Sequence, residues 1–386
     1  MKKFFFIFIF ILILGVYFFI RLSKDRSFDK KKLIKTPIPT KFIPSPTLKS
    51  EKKINKTIRS IFVPYWSYFD PGTYSNQRFD RYLYFGITAN HSGVDKNDTG
   101  YLKIDEIVNQ ESNQKNWWLV LRLLNDGLNQ KILQDEELQE KIIQETLIIL
   151  KEKGFDGLVL DLEIFTLFNS DIKDKINNFV EKFYTQIKNN YKLFSLCLYG
   201  DLFYRKRPYD LEFLAKNTDE IFIMAYDFSK TIGEPGPNFP FDLGHKYNYS
   251  FKKMIDDYLN FVSSERLTVI FGMYGYQWNV DENKRPISQA KALNLKEIKK
   301  TFYKNTLETN GLFDCQLKNC LIKRDRFSKE IEIDYFFTSS TPDENGIYRL
   351  DYYVVWHEDE ESVRIKTEYL KEKSINSISY WVYGYF

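Results

Sequence analysis

After residue 58 the chain changes period repeatedly, and that alternation limits the folds open to it. Eight short β-type runs occur, at Ile61–Trp66, Tyr82–Ile87, Trp117–Leu124, Phe155–Glu163, Leu193–Tyr199, Glu220–Phe228, Leu267–Tyr274 and Ser377–Trp381. Helical stretches separate several of them. The clearest is Glu136–Lys153, where Leu138, Ile142, Ile149 and Leu150 mark one face and Gly154 follows as a stop signal. Asp171–Asn189 and Phe251–Ser263 repeat the pattern. Eight strands with helices between them predict an α/β fold, a (β/α)8 barrel. The competing architecture, a doubly wound open sheet, wants a Gly-rich nucleotide loop after its first strand. Pro64-Tyr65-Trp66 is not such a loop.

A length of 386 residues suits one barrel carrying an inserted subdomain. The interval between the seventh and eighth runs is too long for a single crossover helix. Within it, 281–349 alternates in a β-like way, as in Ile331-Glu332-Ile333-Asp334-Tyr335, and reads as a small α+β insertion. Cys315 and Cys320 fall inside it. They either close a short loop in an exported protein or stand as two reduced thiols. Cys197, in mid-strand, reads as a small buried hydrophobe.

Composition removes several function classes. A net charge of +4 gives no reason to expect a nucleic-acid partner. Three cysteines exclude a disulfide-dense scaffold and a four-cysteine zinc site. His91, His245 and His357 match no metal-ligand spacing, so chemistry that needs a histidine base or a histidine-bound metal is disfavoured. The 34 Phe, 27 Tyr and 6 Trp could stack on sugar rings, but core packing accounts for such numbers equally well.

The N-terminus is a separate matter. Lys2 and Lys3 precede an unbroken apolar run, Phe4 to Ile20, which would span about 25 Å as a helix, the low end for crossing a bilayer. No small-residue cleavage site follows, so residues 1–22 read as an uncleaved signal anchor with the remainder extracytoplasmic; cleavage would make the protein secreted. Arg21, Lys24, Arg26, Lys30, Lys31, Lys32 and Lys35 favour the opposite orientation by the positive-inside rule. Residues 23–58, with Pro37, Pro39, Pro44 and Pro46, read as an extended basic tether, and 59–386 as the folded domain.

The segment richest in chemistry is Gly154 to Glu163. On a strand, alternate side chains share a face. Leu158, Leu160 and Leu162 then face the helices, and Gly157, Val159, Asp161 and Glu163 face the barrel axis. Two inward carboxylates therefore sit one pleat apart at the C-terminal end of a barrel strand, where barrel enzymes carry their sites. The plain alternative is an ion pair with an inward base such as Arg122.

Asp156-Gly157-x-x-x-Asp161-x-Glu163 resembles the Asp-Gly-x-Asp-x-Asp-x-Glu signature of glycoside hydrolase family 18, the chitinase-like fold. Met224-Ala225-Tyr226-Asp227 is similar to that family's Met-x-Tyr-Asp. Tyr274-Gly275-Tyr276-Gln277-Trp278, the Trp356 to Lys366 segment and Asn125 resemble the spore-cortex-lytic, peptidoglycan-directed branch, and Trp381 falls at the family's strand-eight tryptophan. Three features depart from the pattern. Val159 replaces the middle aspartate, Gly272 stands where proline is usual, and Phe386 follows the eighth strand with no final helix, leaving one side of the barrel open unless the segment before residue 60 covers it.

The resemblance implies a substrate-assisted, retaining hydrolysis of β-1,4-linked N-acetylglucosamine polymers by a monomer, and no metal or organic cofactor. Glu163 would be the acid, Asp161 would hold the acetamido N–H, and Tyr226 would donate to the acetamido carbonyl. Asp227, Met224, Tyr274, Trp381, Trp66 and Asn125 would contribute to substrate binding. With Val159 beneath it, Asp161 is expected to stay ionised and to point at Glu163. A sugar-binding protein on the same fold is the other reading. The retained Glu163 favours the enzyme, and Val159 the lectin.

Overall fold

Eight parallel strands close into a barrel in the computed structural model, which describes residues 56–66, 79–109, 116–166, 168–190, 192–342 and 344–386. The strands are β1 (Ile58–Pro64), β2 (Arg81–Ile87), β3 (Trp117–Leu123), β4 (Gly157–Leu162), β5 (Leu193–Tyr199), β6 (Glu220–Ala225), β7 (Leu267–Gly272) and β8 (Ser377–Trp381). Each pairs with its predecessor, and β8 returns to β1 with Ile58 beside Ser377. β4 therefore stands diametrically opposite β8, and β5 opposite β1.

Side-chain alternation divides the apolar residues into two cores. Phe62, Leu83, Phe85, Trp118, Val120, Val159, Cys197, Phe222, Met224 and Ile270 fill the barrel interior. Leu158, Leu160 and Leu162 point the other way, into the layer that also buries Ile142, Phe179 and Phe183. Two helices of that layer run Glu136–Glu152 and Ser170–Asn189, each capped by the preceding residue: the Asp135 carboxylate accepts from the Leu138 N–H, and the Asn169 side chain accepts from the Asp171 N–H. Gly154, at φ 70°, takes the left-handed conformation that turns the chain out of the first helix toward β4.

The N-terminal end of the barrel is plugged by a polar cluster. Arg81 Nη2 donates to Glu220 Oε1 at 2.9 Å and to Ser377 Oγ at 3.1 Å, and Arg81 Nε donates to Ser60 Oγ at 3.0 Å. The guanidinium lies over the Trp118 and Phe222 rings. A charge at this depth is tolerable because it is paired and its remaining donors are satisfied.

The insertion is larger than the 281–349 expected from sequence. It is a seven-stranded antiparallel sheet whose strands begin at Tyr274 and end at His357, with one helix, Leu295–Phe302. Ile298 and Phe302 of that helix pack on Ile322, Ile331, Ile333 and Val355. Tyr274 belongs to this sheet and not to β7: the barrel strand ends at Gly272, and Tyr274–Val280 pairs antiparallel with Leu350–His357. Cys315 and Cys320 are joined as a disulfide, and Cys197 is a buried free thiol.

Residues after β8 fold back on the barrel end. The Tyr383 N–H donates to the Phe62 carbonyl at 2.9 Å, and Tyr383, Tyr385 and Phe386 pack on the main core. The expected membrane anchor and almost all of the tether lie outside the described residues. Among the described residues no helix is long and apolar enough to cross a membrane.

Candidate active site

β4 delivers the carboxylates as its alternation requires. Val159 joins the interior core, Asp161 is buried above it, and Glu163 stands just past the strand end. Polar clamps hold that end. The Glu163 N–H donates to the Leu123 carbonyl at 2.9 Å. The fully buried Asn129 amide donates to the carbonyls of Glu163 (2.8 Å) and Leu123 (2.6 Å). The Tyr209 hydroxyl donates to the Leu162 carbonyl at 2.7 Å and accepts from the Ile164 N–H at 2.9 Å. The acid is thus fixed from both sides of its own peptide unit.

Glu163 is partly buried and accepts a hydrogen bond from the Tyr199 hydroxyl at 3.0 Å. Burial pushes its carboxyl above the ordinary glutamate value. The Asp227 charge adds to this, while the Tyr199 hydrogen bond, Arg207 and Lys230 oppose it. A proton-bearing carboxyl near neutral pH is what a general acid needs.

Asp161 behaves otherwise than the sequence suggested. Arg122, its neighbour across the β3–β4 ladder, turns away to pair with Asp98 at 2.7 Å. Asp161 Oδ1 is buried without a hydrogen-bond partner among the described residues. Burial, and then the Glu163 charge, raise the carboxyl well above its usual value. The sequence-based expectation took no account of this desolvation, which no cation or hydrogen-bond donor among the described residues offsets and which works against the ionised form.

The opposite wall is aromatic. Trp381 ends β8, with its ring 4.8 Å from Phe85 and 5.6 Å from Phe62. Trp66, half exposed, stands edge-on to Phe85 at 6.0 Å. Tyr226 follows β6 and lies between Tyr274 (6.0 Å) and Trp381 (6.5 Å). Burial holds the Tyr226 hydroxyl protonated, and among the described residues it has no hydrogen-bond partner. Asp227 adopts φ 56°, a left-handed conformation uncommon outside glycine, and accepts from the hydroxyls of Tyr276 (2.7 Å) and Tyr274.

These groups surround one cavity of about 520 Å³ at the C-terminal mouth of the barrel, within the range of small-ligand sites. Glu163, Asp161, Tyr226, Asp227, Tyr274, Trp381 and Trp66 all line it. Two expected binding residues do not. Met224 is in the interior core beneath the cavity, because the inward alternation of β6 places it one pleat below Tyr226. Asn125 is exposed, and its side chain accepts from the Leu128 N–H at 3.0 Å as the cap of helix Asp126–Ile132. Three participants were not singled out from sequence, Tyr199 and, from the insertion, Asn294 and Glu297, and Tyr276 was quoted in a motif without being given a place in the site. Tyr199 continues the inward series Ser195, Cys197, Tyr199 on β5, a period-two signal that could have found it. Among the described residues no three His, Cys, Asp or Glu side chains gather as a metal site requires.

Comparison with known proteins agrees with this geometry. The model of glycosyl hydrolases family 18 matches residues 66–385. The cortical fragment-lytic enzyme of Bacillus anthracis is 22% identical over 312 residues, covering 78% of this chain and 64% of that protein. The Bacillus cereus enzyme of that name is 23% identical over 314 residues, with the same coverage. The chain thus spans about 64% of the length of these curated relatives. Among solved structures, the Bacillus cereus spore cortex-lytic enzyme SleL superposes with a TM-score of 0.61 at 19% identity, over 86% of this chain and 72% of that one. A family 18 N-acetylglucosaminidase from Paenibacillus barengoltzii gives 0.65 at 12%, over 86% and 96%. A family match over most of the folded part, joined to the carboxylates of β4 at the mouth of a closed barrel, places the assignment beyond fold likeness: the chain belongs to glycosyl hydrolases family 18.

Proposed function

We propose that the protein is a retaining glycosidase that cleaves β-1,4-linked N-acetylglucosamine-containing polysaccharide, peptidoglycan foremost, with the substrate's own acetamido oxygen as nucleophile. The observation that carries this reading is the pair of unpartnered polar groups between acid and tryptophan. Asp161 Oδ1 is buried without a donor, and the Tyr226 hydroxyl has no protein acceptor among the described residues. An acetamido group supplies both complements, an N–H for Asp161 and a carbonyl for Tyr226.

The other carboxylates of the cavity are already engaged. Asp227 accepts from two tyrosine hydroxyls, and Glu297 accepts from the Asn294 N–H at 3.0 Å as part of a capping box. Neither is free to attack an anomeric carbon. In the step that follows, Glu163 gives its proton to the glycosidic oxygen as the C1–O bond breaks and the acetamido oxygen closes on C1. Asp161, accepting the acetamido N–H as a carboxylate, stabilises the positive oxazolinium. Glu163 then takes a proton from the water that reopens the ring, so the product keeps the β configuration. Trp381 floors the sugar.

The likeness to cortical fragment-lytic enzymes supports peptidoglycan over chitin as the polymer. The apolar run Phe4 to Ile20 supports a membrane tether with the barrel outside the cell. Full-length protein incubated with peptidoglycan and with chitin oligomers, followed by product mass analysis, tests the reading. Release of N-acetylated saccharides supports it. Binding without turnover on both glycans would hand the case to a sugar-binding protein, the reading that Val159 favours.

A further inference from the structure

We infer that Lys230 and Phe165 form an anion-accepting subsite on the leaving-group side of Glu163, and that it takes a sugar bearing a carboxylate on its 3-O substituent. This rests on the glycosidase reading above and adds the charge of the sugar that departs.

Glu163 on β4 faces Trp381 on β8 across the full width of the barrel mouth. The sugar held over Trp381 fills the space between them, and its bond is cut at Glu163. The leaving group therefore extends past Glu163, over the rim formed by the ends of β4, β5 and β6. Phe165, half exposed, occupies that rim. Its ring is 6.2 Å from that of Tyr199, whose hydroxyl reaches Glu163 at 3.0 Å. Its backbone is pinned by the Phe165 N–H donating to Asp126 Oδ1 at 3.0 Å. The Lys230 ammonium lies 6.0 Å from the Phe165 ring centroid. The Lys230 loop is tied to the insertion by the Ala290 N–H, which donates to the Thr231 carbonyl at 2.9 Å.

The electrostatics of Lys230 are unbalanced. Among the described residues no carboxylate comes within ion-pair distance of it. Asp227 is occupied by two tyrosine hydroxyls. Asp201 is shared by two guanidiniums, Arg205 and Arg207, and so is not available to pair with Lys230. Lys230 is itself partly desolvated, and burial, then Arg207 and Arg205, lower its pKa against the opposing pull of the more distant Asp201 and Asp227. A solvated lysine covering an aromatic ring is the ordinary use of such a side chain. It does not require a half-buried ammonium with no carboxylate in ion-pair contact, and that arrangement is relieved when an anion binds. The aromatic face beside it suits the apolar face of a pyranose.

The test measures affinity, which does not depend on turnover. Full-length Glu163→Gln protein is titrated with neutral chitotetraose and with a peptide-free peptidoglycan tetrasaccharide carrying free lactyl carboxylates. The charged probe is expected to bind more tightly, and adding Lys230→Met to shrink that preference by about tenfold, the worth of one charge-assisted hydrogen bond. Lys230→Arg should keep it. An equal preference in Glu163→Gln and Glu163→Gln/Lys230→Met overturns the subsite and leaves the glycosidase reading standing. A lost preference, with no cleavage of either glycan by the wild type, supports the subsite while overturning the glycosidase reading.

Discussion

Replacing Glu358 by glutamine should stabilise this protein at pH 8 and leave it unchanged near pH 4. Lys366, on the last helix, Glu360–Glu372, is fully buried between two fully buried carboxylates, with its ammonium 2.8 Å from Glu330 and 2.8 Å from Glu358. One cation cannot neutralise both. Glu330 also accepts from the backbone N–H groups of Asn238 (2.6 Å) and Phe239 (2.8 Å), which makes it the better seat for the negative charge. Glu358 lacks those donors, and burial, with the Glu330 charge adding to it, pushes its carboxyl up to about 8. Its ordinary value is 4.5. Between those two values the unfolded chain is ionised at this position while the folded chain holds the proton. Stability is therefore lost as pH rises through that window. At about 1.4 kcal/mol per pH unit the whole span is worth about 5 kcal/mol at most, shared in practice across the coupled cluster. Glutamine keeps the size and the neutral state, so its advantage should grow to a few kcal/mol by pH 8. Urea unfolding at pH 4, 6 and 8 measures it. If Glu358→Gln instead loses about 3 kcal/mol or more at every pH, as when a buried ion pair is broken, then Glu358 is ionised and the reasoning is wrong.

Glu330→Gln should destabilise by about 3–5 kcal/mol near neutral pH, because it strips Lys366 of its carboxylate, and by less toward pH 4, since burial also raises the Glu330 carboxyl above its ordinary value. It should also lower kcat, since Asn238 links Glu330 to the Tyr274 carbonyl (2.7 Å) and the Phe228 N–H (2.8 Å) beside Asp227; denaturation curves and kinetics check both. Tyr199→Phe removes a hydrogen bond that favours ionised Glu163, so the alkaline limb of the kcat/KM profile should move to higher pH. Val159→Asp places a carboxyl below Asp161 and beside Ser195, whose hydroxyl has no partner; the pH–rate profile should change as a coupled pair is restored, and an unaltered profile counts against this account of Asp161. Asn125→Ala should cost about 1 kcal/mol in thermal unfolding through the lost helix cap and leave kcat/KM untouched.

The barrel was legible because its strands are short apolar runs with clear ends. Leu193–Tyr199 and Ser377–Trp381 match the observed strands residue for residue. The β4 carboxylates were legible for a related reason: an alternation of two places charge on the inward face, and a barrel interior has few uses for charge. The insertion was less so. Tyr303–Thr309 is mostly exposed and polar, which leaves little period-two contrast to read. Tyr274 runs on from an apolar strand with one residue between, so nothing local marks the switch from parallel barrel to antiparallel sheet. Asn125 was misplaced because a residue beyond a strand end can serve a site or cap the next helix, and three-residue spacing to the Leu128 N–H decides for the cap. The upward push on the Asp161 carboxyl was hidden for a different reason. It depends on where Arg122 turns, and Asp98, which draws that side chain away, is remote in sequence.

The central claim is that the nucleophile belongs to the substrate and the proton to Glu163. The most direct measurement follows full-length protein acting on an N-acetylated glycan and on its fully deacetylated counterpart, with the anomeric configuration of the first product read by NMR. The account predicts cleavage of the acetylated chain alone and a β first product. In Glu163→Gln it predicts turnover falling by about 10²–10⁴-fold or beyond detection, with oligosaccharide affinity held within about an order of magnitude. Efficient cleavage of the deacetylated chain, or an inverted first product, would contradict it.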